Sequence, residues 1–123
     1  MEFDPLSNRV IGCALEVHRE LGPGLLESVY EECLARELAG QEIAFRHQAE
    51  LPIAYKGELI SATYRVDLLV EEQLIVELKS VEELIPIHHA QLLTYLKLSN
   101  LRTGLLINFN VSLLKQGIKR VVL

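Results

Sequence analysis

From Arg65 to Lys79 the chain alternates apolar and other residues on either side of Glu71-Glu72-Gln73, and it carries Asp67, Glu77 and Lys79 among them. A period of two is that of a β-strand, so the segment reads as two strands joined by a short loop. Ile60, Ala62, Tyr64, Val66, Leu68 and Val70 share one face of the first strand, and Ser61, Thr63, Arg65, Asp67 and Leu69 the other. Opposing Val70 to Leu74 sets Leu68 against Val76 and Val66 against Leu78, which collects the apolar residues on one face. The same register sets Asp67 opposite Glu77 and Arg65 opposite Lys79. A two-residue loop would oppose Asp67 to Val76 and mix the faces, so the hydrophobic pattern selects the odd-length loop.

Facing residues have Cβ atoms only about 5 Å apart, and like charges there are destabilising. A hard divalent cation, Mg²⁺ or Mn²⁺, would compensate, since such ions take one or two carboxylates together with water and phosphate oxygens. Lys79, two residues beyond Glu77 on its face, would hold a water or a phosphate oxygen beside the ion. That assembly suits phosphodiester hydrolysis: the metal polarises phosphorus and acidifies a bound water, and the lysine positions the nucleophile or stabilises developing charge. The competing account is a salt-bridge lattice of Asp67, Glu77, Lys79 and Arg65 on a solvated sheet face. Helices covering that face would weigh against it, because burying four charges is costly.

Two helical segments flank this pair. Glu27, Tyr30, Glu31 and Leu34 share one helix face, and His88, Gln91 and Tyr95 share another, opposite an expected buried stripe of Ile87, Ala90 and Leu93. Singly, each has an ordinary account, Glu27 as a first-turn acid suited to the helix dipole and Tyr95 as an amphipathic residue at the core's rim. Zinc held by His88 and His89 is disfavoured, because adjacent helical residues point about 100° apart and no third ligand is suitably spaced. His18 and His47 read as ordinary, partly buried residues.

The elements that position these groups follow from periodicity. Asp4-Pro5 caps a first helix with Leu6, Val10, Cys13, Ala14, Val17 and Leu21 at helical spacing, and Gly22-Pro23-Gly24 stops it. A second helix runs from about Leu26 to Leu38, with Val29, Cys33, Leu34 and Leu38 as its expected stripe. Ile43, Phe45 and His47 open a strand, Pro52 marks a break or an edge position near there, and Lys56-Gly57 suits a hairpin turn. Pro86 begins a third helix, Leu105-Leu106-Ile107 is a strand covered on both faces, Ser112 to Gln116 a turn of helix, and Ile118 to Leu123 a last strand. The order α-α-β-β-β-α-β-(α)-β implies an α/β fold, a mixed sheet with helices on both faces, in one domain over residues 1–123.

The 123 residues are half apolar and 24% charged, a globular composition with no apolar run long enough to span a bilayer, so no membrane partner is expected. The start lacks a secretory pattern, and two isolated cysteines suit neither a disulfide framework nor a zinc cage, so the protein is expected to be cytoplasmic. The net charge of −5 is uneven: seventeen acids and seven bases precede Leu84, while the rest holds five bases and no acid. A local anion-binding face is compatible with this, whereas coating nucleic acid by charge alone is not.

Gly24-Leu25-Leu26-Glu27-Ser28-Val29-Tyr30 resembles the signature that names the GxxExxY proteins of the PD-(D/E)XK nuclease superfamily. Asp67 followed by Glu77-Leu78-Lys79 resembles that superfamily's D…E-x-K core, with Val66 where its name has Pro, and His89 to Leu96 resembles a Q-x-x-x-Y element. The likeness extends over Gly104 to Phe109 and Ile118 to Arg120, and thus from about Val10 to Val121. It implies a restriction-endonuclease-like mixed central sheet flanked by helices, and a Mg²⁺- or Mn²⁺-dependent nuclease acting on DNA or RNA. By the same resemblance Asp67, Glu77 and the Leu78 carbonyl would bind metal, Lys79 would be catalytic, and Glu27 would be an accessory acid reaching the metal through water. Gln91 and Tyr95 would orient Lys79 or contact phosphate. The alternative is a catalytically silent module of the same fold that binds nucleic acid or a protein partner. An exposed Val121-Val122-Leu123 edge could pair between subunits as a homodimer.

Overall fold

The computed structural model of the protein describes residues 3–123. Helix α1 (Pro5–Leu21) opens as its sequence requires, with Asp4 Oδ2 accepting the Ser7 N–H at 3.0 Å and Pro5 in the first turn. It buries Val10, Ile11, Cys13, Ala14 and Val17, whereas Leu21 at its end is exposed. Helix α2 (Glu27–Gly40) buries Tyr30, Leu34 and Leu38. The expected stripe began at Val29, which is exposed. Tyr30 displaces it because its ring stacks on Phe109, with centroids 4.5 Å apart.

Strands β1 (Phe45–Tyr55), β2 (Glu58–Val70), β3 (Leu74–Lys79), β4 (Thr103–Asn108) and β5 (Ile118–Val122) lie in that order in one mixed sheet. Only β3 and β4 are parallel, and helix α3 (Pro86–Ser99) makes the crossover that parallel neighbours need. A 3₁₀ turn at Leu114–Gly117 leads into β5. One core cluster joins the sheet to α1 and α2, the other joins it to α3, so helices cover both faces as expected. No helix among the described residues is long and apolar enough to cross a membrane.

Local turn chemistry and register agree with the sequence. Lys56 and Gly57 have φ of 51° and 86°, the left-handed pair that a tight two-residue hairpin turn needs. Val70 pairs with Leu74 and Leu68 with Val76. The face assignment, however, needs correcting. Leu68 and Val70 pack with α1 and α2, but Tyr64 and Val66 pack with α3. Pairing of β1 with β2 skips one residue on each strand, Gln48 and Asp67, while His47–Leu68 and Ala49–Val66 keep a common register on either side. Gln48 has a φ of 52°, and this left-handed step inverts the alternation of the ribbon there.

Helix α3 is also rotated from the expected orientation. Leu92 and Leu96 are its buried residues, and Ile87 is 64% exposed. Gly104 on β4 explains the seat: a Cβ there would lie 2.9 Å from Leu92, so its absence lets the helix settle with Leu92 against the sheet.

Candidate active site

The backbone ladder between β2 and β3 ends at Leu68–Val76, and the next step of its register carries Asp67 and Glu77. Here side chains replace main-chain partners. The Asp67 N–H donates to Glu77 Oε1 at 3.3 Å, and the Leu78 N–H donates to Asp67 Oδ2 at 2.8 Å. Glu77 is only 7% exposed. Burial, and then the neighbouring Asp67 carboxylate, push its carboxyl up to about 9, while the Lys79 ammonium acts in the opposite sense. The solvated lattice is thereby overturned: Glu77 is buried, and Arg65 lies exposed across from Glu50 of β1 at 3.6 Å, beyond the end of the β2–β3 pairing.

A third acid joins the pair. Glu31, one turn along α2 from Glu27, has its Oε1 2.5 Å from Gln48 Nε2 and its Oε2 3.0 Å from His47 Nε2. Gln48 Nε2 also reaches Asp67 Oδ1 at 3.4 Å. Burial raises the Glu31 carboxyl, with Asp67 adding to the effect and the His47 hydrogen bond opposing it. Sequence reasoning put Glu31 on the right helix face but singled out Glu27, which is exposed in the first turn. His47, expected to be ordinary, is a partner of this acid. The signal that would have found Glu31 is its spacing of four from Glu27 on a helix facing the sheet.

Lys79 is half-buried at the exit of β3, and its surroundings are fixed by backbone contacts. It pairs with Asn108, and its carbonyl accepts the Phe109 N–H at 2.9 Å. The buried Asn108 side chain accepts the Val81 N–H at 3.0 Å and donates to the Val81 carbonyl at 3.0 Å, clamping the chain just after Lys79. Ser80 Oγ donates to the Leu25 carbonyl at 2.5 Å, which ties this exit to the loop before α2. Tyr30 holds that loop from within: its hydroxyl donates to the Gly22 carbonyl at 2.6 Å and accepts the Leu25 N–H at 3.1 Å. Gly24, with φ of 97°, supplies the left-handed turn there. Sequence reading had not singled out Ser80, or Asn108 as a clamp, although a lone amide ending an apolar strand was a usable signal for the latter.

Helix α3 closes the other side. Tyr95 stacks on Tyr64 with centroids 5.0 Å apart. Burial raises its hydroxyl, the Glu77 and Asp67 charges raise it further, and a hydrogen bond with Gln91 lowers it. Glu77 therefore lies within electrostatic reach of Asp67, Lys79 and Tyr95, Gln91 joins through Tyr95, and Leu78 contributes its N–H to Asp67. His88 turns back on its own helix, its Nδ1 accepting the Ile85 N–H at 3.2 Å. Among the described residues no three His, Cys, Asp or Glu side chains converge as a ready metal cage. The groups present are carboxyl oxygens, with Glu77 held protonated by its burial and by Asp67 until a cation displaces the proton; an all-oxygen set fits a hard cation that keeps water in its shell.

A mixed sheet whose central strands carry Asp67 and then Glu77-Leu78-Lys79, backed by a helix bearing Gln91 and Tyr95, defines a nuclease-type architecture. A model of the PD-(D/E)XK nuclease superfamily matches residues 4–121, and the chain belongs to that superfamily, with its α/β restriction-endonuclease-like fold. No curated protein and no solved structure gives a significant match.

Proposed function

We propose that the protein is a Mg²⁺- or Mn²⁺-dependent nuclease hydrolysing phosphodiester bonds of nucleic acid. The observation that carries this reading is the meeting of the Asp67 and Glu77 carboxyls at a buried end of the β2–β3 ladder, with Lys79 two residues on. Asp67, Glu77 and the Leu78 carbonyl would hold the ion, and Glu27 and Glu31 would be accessory acids on α2. When bound, the ion supplies Lewis-acid polarisation of the phosphate and an acidified water. Lys79 Nζ would hold the attacking water and stabilise charge developing on phosphate oxygens. Tyr95 and Gln91 would donate hydrogen bonds to the phosphate or to Lys79. Lys97, Arg102, Lys115 and Lys119, in a tract without acids, would offset backbone charge.

The test is a melting curve with and without millimolar Mn²⁺ or Mg²⁺, followed by incubation with labelled DNA and RNA. The metal should raise Tm by several degrees in the wild type and leave the Asp67→Asn, Glu77→Gln double variant unmoved. Cleavage should need the metal and vanish in Lys79→Ala. A Tm indifferent to metal together with intact substrates would leave a nuclease-fold module that binds without cutting.

A further inference from the structure

Gln48 departs from strand geometry between two residues that keep it. His47 and Ala49 pair with Leu68 and Val66, yet Gln48 has φ of 52° and, like Asp67 facing it, no ladder partner. A left-handed residue other than glycine costs roughly 1–2 kcal/mol, and it persists only where the surroundings hold it. Here the strained step delivers an amide: Nε2 lies 2.5 Å from Glu31 Oε1 and 3.4 Å from Asp67 Oδ1. Only the NH₂ end of the amide can face two carboxylate oxygens. Asp67 is thus gripped from both sides, by the Leu78 N–H on Oδ2 and by Gln48 on Oδ1. Glu31 is gripped similarly, between Gln48 and His47.

We infer that Gln48 is a positioning residue for the cation site, its left-handed main chain placing one amide that orients Asp67 and Glu31 together. The inference rests on the metal-dependent reading above. Partners that orient a ligand carboxylate commonly govern about 10–100-fold of metal affinity, so the amide belongs to the site although it touches no ion.

Backbone and side chain can be separated, because glycine accepts the left-handed step without the amide. In Gln48→Gly, Tm should stay within a few degrees of the wild type, while Mn²⁺ affinity measured by calorimetry on the full chain should fall about 10–100-fold. Gln48→Asn, which tolerates the same backbone with an amide one methylene short, should fall in between. Mn²⁺ affinity of Gln48→Gly within twofold of the wild type would overturn the inference alone. So would an affinity loss matched by a large loss of Tm, which would make Gln48 a residue that merely holds the fold. Failure of the wild type itself to bind Mn²⁺ would overturn the proposed function, and this inference with it.

Discussion

Tyr30 on α2 and Tyr95 on α3 each end a short motif, each stacks on another aromatic ring, and the two do opposite things. Tyr30 is fully buried, and its hydroxyl is engaged at both ends by the main chain of residues 22–25. Tyr95 is half-buried, and its hydroxyl feels the Glu77 and Asp67 charges and hydrogen-bonds with Gln91. A phenol enclosed by backbone has nothing left to offer a ligand and serves to fix a loop. A phenol that keeps its proton within reach of acid side chains still has a hydrogen bond to offer. Sequence spacing is the same kind of signal for both, and the charge around the hydroxyl separates them.

The largest expected effect breaks the Tyr30 side of this comparison. Tyr30→Ala removes a buried ring together with its stacking on Phe109, so urea denaturation should report a loss of about 3–5 kcal/mol. Tyr30→Phe keeps the ring and leaves the Leu25 N–H and Gly22 carbonyl without that partner, which should cost about 1 kcal/mol. Metal affinity of Tyr30→Phe should match the wild type. A cleavage defect of a hundredfold in that variant would place Tyr30 beside Tyr95 instead of opposite it.

The next effect belongs to the carboxylates whose charge Tyr95 feels. Glu77 is ionised above about pH 4.5 in the unfolded chain but only above about 9 in the metal-free fold, so folding takes up a proton between those values. Stability should therefore fall as pH rises through that window, by up to about 1.4 kcal/mol per unit from this group. Burial raises Glu31 in the same sense. Glu77→Gln removes the larger contribution, so at pH 8 without metal it should be more stable than the wild type by about 2 kcal/mol or more. Saturating Mg²⁺ should reverse the order by stabilising only the wild type. Equal pH slopes in the two proteins would mean that Glu77 is solvated in solution.

The fold was legible because its signals are local. The Asp4-Pro5 cap, the Lys56-Gly57 turn and the Val70–Leu74 register each depend on residues close in the chain, and each is found. The β2–β3 pair of Asp67 and Glu77 was legible for the same reason, since register follows from period. The errors fall where distant residues decide. Tyr30 displaces Val29 because of Phe109, and Leu92 turns inward because Gly104 has no side chain. Arg65 is taken by Glu50, on a strand whose register with β2 depends on the whole hairpin. The inversion at Gln48 and Asp67 left no trace in the apolar pattern, which reads as unbroken alternation from Ile60 to Val70. Glu31 followed from that inversion, because its contact with Asp67 passes through the displaced amide.

The smallest expected change in stability tests the Tyr95 side. Its hydroxyl is raised above the ordinary phenol value by burial and then by the two carboxylates, with the Gln91 hydrogen bond opposing, so it stays protonated at working pH and keeps a proton to donate. Tyr95→Phe leaves the stack on Tyr64 in place, and its stability should stay within about 1 kcal/mol of the wild type. A hydrogen bond to a charged group is worth about 1.5–3 kcal/mol, so cleavage at saturating metal should fall roughly ten- to hundredfold. Because the lost group does not titrate between pH 6 and 9, the rate should drop by the same factor across that range and the shape of the pH profile should not move. Mn²⁺ affinity should also be unchanged, which distinguishes a donor to substrate from a group that holds the ion. A pH profile displaced in Tyr95→Phe would mean that the hydroxyl acts by tuning Glu77, and Tyr95 would then support its neighbours as Tyr30 does.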